Sequence, residues 1–184
     1  MNYRITTVLL AVTLLLVLGV PAIQAAPLGQ PEASANTVAA AGDYDFTTHG
    51  TAWVRQVPGE FILFRPLGWG IEARAKAAGS KWVHIPVPFP SRIANSLMKI
   101  KFVEFCAQST NGAISKPTRM DLWDYNGRFG SVNISWPADN AKHCYTYTFG
   151  SPAFHQDLGV SVLLYFANTT NKITLYKAWV RIIP

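Results

Sequence analysis

The sequence contains almost none of the patterns that betray chemistry. It has no G-x-S-x-G serine elbow and no H-E-x-x-H zinc helix. Its four histidines, His49, His84, His143 and His155, have no partner at short-range ligand spacing, so no metal centre and no cofactor is expected. Only 14% of residues are charged, and no basic run is dense enough for a nucleic-acid groove. There are two cysteines, too few for a disulfide-stapled miniature fold. After residue 26 no stretch combines a helical apolar period with caps, which argues against helical architectures.

What is present starts at the N-terminus. Arg4 supplies a positive start, residues 8–20 are apolar except for Thr13, Pro21 follows, and Ala22, Ala25 and Ala26 are small. This order is that of a cleavable secretory signal, with cleavage after Ala25 or Ala26. The apolar run is shorter than the roughly 20 residues of a bilayer-spanning helix, so the mature form is expected to have no membrane span. Removing Arg4 leaves 15 basic against 10 acidic residues, a net charge of +5. The expected organisation is a signal peptide over 1–25, a flexible linker over 26–43 and one β-domain over 44–184. The linker is rich in Ala, Pro, Gly, Ser, Gln and Asn and has little apolar surface to offset the entropy of ordering. An exported chain is expected to be secreted or held in the cell envelope. There Cys106 and Cys144 are expected to form a disulfide.

From Tyr44 onward, short aromatic and β-branched runs alternate with turn residues such as Pro58-Gly59, Gly79-Ser80, Asn126-Gly127 and Asp139-Asn140. The spacing predicts about nine antiparallel strands in a single β-sandwich, jelly-roll or Greek-key-like. In 82–90, Pro86, Pro88 and Pro90 delete donors along one edge, so this segment should lie at an edge or leave the sheet there. Val83, Ile85, Val87 and Phe89 would then face the core, with Trp82 and His84 on the other side. The apolar positions after Met98 change phase between Phe102 and Val103, which predicts a bulge and turns Glu104 and Cys106 outward. In 142–149, His143, Tyr145, Tyr147 and Phe149 share one face and Cys144 the other, so both cysteines fall on outward faces. Residues 158–167 are apolar on both faces and read as a central strand.

His49-Gly50-Thr51, Gly68-Trp69-Gly70, the run Trp82-Val83-His84-Ile85-Pro86-Val87-Pro88-Phe89-Pro90 and the strand over 99–105 together form a pattern. It resembles a family of secreted or envelope-associated bacterial β-domain proteins of unknown function. The likeness is most specific over 49–105 and loosens from Lys116 onward. The resemblance implies an all-β fold and a non-cytoplasmic setting, and carries over no activity.

The functional candidates are aromatic. Of six tryptophans, Trp53 and Trp179 are expected in the core. Trp82 with His84 on the non-core face, and Trp69 in a Gly-flanked loop, are the candidate binding residues. An exposed indole can stack on the apolar C–H face of a sugar while nearby polar groups meet its hydroxyls. The leading expectation is therefore a non-catalytic binding or surface-interaction module for a glycan or envelope partner. Two alternatives stay open. One is a small secreted hydrolase whose acids, among Glu60, Glu72, Asp121 and Asp124, converge only in three dimensions. The other is a structural exported or surface-layer subunit. Asp43 and Asp45 could also offer oxygens to Ca²⁺, and His155 could bond Asp157.

Overall fold

Strand propensity and turn chemistry resolve into β1 (Tyr44–Thr48), β2 (Val54–Arg55), β3 (Phe61–Leu67), β4 (Gly70–Ala75), β5 (Gly79–Pro86), β6 (Arg92–Ile93), β7 (Ser96–Leu97), β8 (Lys99–Ser109), β9 (Lys116–Asp124), β10 (Gly127–Asn133), β11 (Lys142–Phe154), β12 (Gly159–Phe166) and β13 (Ile173–Ile183). The structure, a computed structural model, describes residues 42–184. The expected leader and all but the last two residues of the expected linker lie outside the described residues. Among the described residues no helix is long and apolar enough to cross a membrane.

The fold is an antiparallel β-sandwich. One sheet runs β11-β8-β13-β4-β3, with β1 also paired to β13; the other runs β10-β9-β12-β5-β2. Alternation supplies the core between them. Ile100, Val103 and Phe105 of β8 and Val180 and Ile182 of β13 meet Val83 and Ile85 of β5 and Val160, Val162 and Leu164 of β12, all essentially without solvent contact. Each such side chain stabilises the fold by roughly 1.5–3 kcal/mol relative to exposure. Along the β10 and β11 side, Tyr145, Tyr147, Phe149 and Phe129 close the core, with Phe129 stacked near Phe149 at 6.1 Å.

Several sequence expectations match the structure. β12 is central, between β9 and β5. β5 ends at Pro86, and beyond it only the Val87 amide continues the ladder, donating to the Leu158 carbonyl at 2.8 Å. Val83, Ile85 and Val87 are buried; Phe89 is only partly so, because the chain has already left the sheet. The β8 bulge is present: Arg181 pairs with Phe102 and Ile182 with Ile100, leaving Lys101 as the extra residue. Cys106 and Cys144 face each other across β8 and β11 and are joined, with Cα atoms 4.0 Å apart.

A 3-10 turn, Gly50–Ala52, separates β1 from β2. One expected facing fails: Trp179 is not in the core. It lies on the outer face, edge-on to Phe102 at 4.8 Å, and donates its indole N–H to Glu104 at 2.5 Å. The cause is a second bulge. Leu175 pairs with Ala107 and Ala178 with Phe105, so Tyr176 and Lys177 together oppose one residue of β8 and the inward phase jumps.

That bulge organises one side of the sheet. β4 pairs β13 over Ile173, Thr174 and Leu175, and β1 pairs it from Ala178 to Ile182, so two strands share one edge with a break at the bulge. The H-G-T and G-W-G sequences fill the break. A Cβ on Gly70 would stand 2.1 Å from the Leu175 carbonyl oxygen, and one on Gly50 2.7 Å from the Tyr176 carbonyl. Trp53, 2% exposed, donates its indole N–H to that same Tyr176 carbonyl at 2.7 Å. His49 Nδ1 accepts from the Thr51 amide at 3.3 Å and caps the 3-10 turn. Gly70→Ala should therefore lower unfolding free energy by about 1–3 kcal/mol. Gly68→Ala, with nothing among the described residues within 4 Å of its Cβ position, should be near neutral in the same denaturant titration.

Candidate functional site

The outer face of the β10-β9-β12-β5-β2 sheet carries a depression. Its register brings three rows of side chains into line. Gly159 pairs with Pro86 on one side and Trp123 on the other; Ser161 with His84 and Asp121; Leu163 with Trp82 and Arg119. All these residues share the face opposite the core, because Val160, Val162 and Leu164 point inward. The central strand thus contributes small residues, Gly159 and Ser161, where its neighbours contribute large ones. This difference makes a groove floored by β12 and walled by β5 and β9.

Two adjoining hollows make up the groove. One, of about 280 Å³, is lined by Gln56, Trp82, His84, Arg119, Asp121, Trp123, Arg128 and Ser161. The second, of about 510 Å³, shares Gln56, His84, Trp123 and Ser161 and extends over Pro86 and Gly159. Trp123 is 40% exposed and stands beside its cross-strand partner Gly159, whose Cβ position is 3.6 Å from the Trp123 Cβ. Trp82 is half-buried, and the Arg119 guanidinium lies 5.8 Å from its ring centroid. The accessible aromatic surface in the groove is therefore chiefly that of Trp123.

The polar groups are held firmly. Asp121 has a side chain only 3% exposed. Arg119 grips it with two bonds, Nε to Oδ1 at 2.8 Å and Nη2 to Oδ2 at 3.1 Å, and Arg128 Nη1 reaches Oδ2 at 3.3 Å. Burial alone would raise the Asp121 pKa; the hydrogen bonds from Arg119, Ser131 and Arg128 outweigh it and hold the carboxyl below its ordinary value. Burial pushes the His84 pKa down, so the ring is neutral near pH 7. Its Nδ1 lies 2.7 Å from Ser161 Oγ.

The structure brings Trp82 and His84 of the sequence candidates together in this groove. Trp69 is elsewhere: 52% exposed, in the β3–β4 turn of the other sheet, stacked on Tyr176 at 5.4 Å. Tyr176 in turn donates its hydroxyl to Gln108 at 2.7 Å and lies under Lys142 Nζ at 5.0 Å. The groove residues that sequence reasoning missed are Trp123, Arg119, Arg128, Ser161 and Gln56. A signal existed in the alternation Arg119-x-Asp121-x-Trp123, three large side chains on one strand face.

The other candidate acids are taken up by ion pairs and hydrogen bonds. Glu60 pairs with Lys81 at 3.2 Å, Glu72 with Arg65 at 3.1 Å and Lys172 at 3.2 Å, and Asp124 with His155 at 2.7 Å. The four acids considered for hydrolysis thus bind different partners instead of facing one another. The His155 bond to Asp124 replaces the one expected with Asp157, which instead accepts from the Tyr125 amide at 2.9 Å. Asp45 is clamped by Arg181 through two bonds of 2.7 Å, and Asp43 accepts from Lys101 at 3.0 Å, so cationic side chains occupy the oxygens considered for Ca²⁺.

No family model and no curated protein matches the chain in sequence. Solved structures similar to it include the C-terminal family 22 carbohydrate binding module of Clostridium thermocellum Xyn10B, at 17% identity over 75% of this chain and 92% of that one, with a TM-score of 0.46. The xylan binding module CBM86 from Roseburia intestinalis is similar at 9% identity over 76% and 96%, TM-score 0.45. The carbohydrate-binding module CBM36, in complex with calcium and xylotriose, is similar at 12% identity over 72% and 96%, TM-score 0.42.

The titration of the groove has a defined sign. His84 has its folded pKa below the ordinary 6.5, so its contribution to stability is complete above that value and is lost as pH falls through the folded pKa. Asp121 behaves likewise below its ordinary 3.8. Urea unfolding between pH 7 and pH 5 should show stability falling less steeply in His84→Gln than in the wild type. A steeper fall in the variant would mean that the folded state binds the His84 proton.

Proposed function

We propose that this is an exported, non-catalytic glycan-binding module and that the β12-floored groove is its binding site. The observation that carries the reading is the exposed Trp123 ring set beside a small-residue floor and a rim of fixed donors and acceptors. A pyranose presents an apolar C–H face and a rim of hydroxyls. The groove offers the complement: an indole for the face, and Gln56, His84, Ser161 and the two arginines for the rim. Pre-ordering limits the entropy cost of binding, because Asp121 holds Arg119 and Arg128, and Ser161 holds His84. The disulfide and the leader over 1–25 support a setting outside the cytoplasm.

A hydrolytic reading gains less support from the same groove. His84 and Ser161 are within hydrogen-bond reach, as a nucleophile and base would be. Ser161 is only 5% exposed, however, and among the described residues no carboxylate hydrogen-bonds His84. Asp121, kept ionised by its arginines, is a poor proton donor.

Affinity electrophoresis of the purified protein against a panel of soluble polysaccharides tests the proposal. Trp123→Ala should weaken binding at least about tenfold, or about 1.4 kcal/mol. Trp69→Ala, on the other sheet, should bind like the wild type. Retardation by none of the polysaccharides, or loss of binding in Trp69→Ala alone, would refute this assignment.

A further inference from the structure

We infer that the groove is specific for an anionic glycan, one whose sugars carry a carboxylate or a sulfate ester, and that Arg128 with Arg119 reads that charge. The inference rests on the glycan-binding reading and adds the class of sugar. Its basis is an imbalance of charge and donors in the groove. Two guanidinium groups meet one carboxylate, leaving a net +1, and among the described residues no other acidic side chain lines either hollow. His84 is neutral near pH 7 and adds no charge.

The donors are also incompletely used. Each guanidinium has five N–H groups. Arg119 directs Nε and Nη2 at Asp121, and Arg128 directs only Nη1 there. The Nε and Nη2 edge of Arg128 is left over from this network, on a side chain 47% exposed, while that of Arg119 is 33% exposed. A guanidinium edge of this kind matches a planar carboxylate with two parallel bonds, and such charge-assisted pairs are about twice as strong as neutral ones. A neutral sugar hydroxyl would use one donor and leave the charge unmatched. Asp121 fixes where the anion can sit. It holds both guanidinium groups in place, and its own charge, buried beneath them, is kept off the open surface.

The test compares polygalacturonate, its fully methyl-esterified form, a sulfated galactan and neutral xylan as ligands, by titration calorimetry on the full protein. The methyl ester keeps the backbone and removes only the charge. Polygalacturonate or the sulfated galactan should bind at least about tenfold tighter than the methyl ester and xylan, and this gap should narrow as NaCl is raised. Whichever of the two anionic polymers binds identifies the source of the charge. Arg128→Gln, in which Arg119 still holds Asp121, should close the gap, and Arg128→Lys should restore part of it. Trp123→Ala should weaken all ligands together. Equal binding of charged and uncharged polymers by the wild type would overturn the anionic specificity and leave the glycan reading standing. Binding of none would overturn both.

Discussion

The groove depends on one buried charge. Asp121 sits on the outer face of the sheet with almost no solvent contact. An ionised carboxylate in that position is tolerable only when paired and hydrogen-bonded, since its desolvation penalty is several kcal/mol. Arg119 and Arg128 supply the pairing, and they do so from the same strand and its hairpin partner. Removing either partner of such a pair typically costs about 3–5 kcal/mol, because the remaining charge is stranded. The energetic demand of Asp121 therefore dictates where two guanidinium groups stand. Their position sets one wall of the groove, covers a face of Trp82 and leaves Trp123 as the open ring.

The sandwich supplies the rest by geometry alone. Alternation along β12 commits Val160, Val162 and Leu164 to the core and Gly159 and Ser161 to the outside. A strand so apolar on its inner face is anchored as the centre of its sheet, which places its two small outward residues between β5 and β9. On the other sheet, the β13 bulge and the two close-packed glycines tie β1, β4 and the 3-10 turn to one break, with Trp53 bonded into it. The disulfide joins β8 to the edge strand β11 on that sheet.

Much of this was legible in residue order, and the failures have a common cause. Period-2 alternation correctly faced Val83, Ile85 and Val87 inward and Trp82 and His84 outward, because no bulge interrupts β5. The β8 bulge was visible because Phe102 and Val103 are adjacent apolar residues flanked by alternating ones. The β13 bulge was not: Tyr176, Lys177 and Ala178 fit either phase, so Trp179 was assigned inward when it lies outside. Arg119, Asp121 and Trp123 were hidden for another reason. Their partners Leu163, Ser161 and Gly159 are about 40 residues away, and register between distant strands is not encoded in either strand's own pattern. Asp121 was noticed only as an isolated acid, since the arginines that define its role come together only after pairing.

The central claim, that the β12-floored groove is where ligand binds, is tested most directly by following the six tryptophan indole N–H signals by NMR during titration with an anionic oligosaccharide. The Trp123 and Trp82 signals should shift with one common saturation curve, while those of Trp69, Trp179 and the buried Trp53 stay in place. Shifts confined to Trp69 would put the ligand on the opposite sheet and contradict the account.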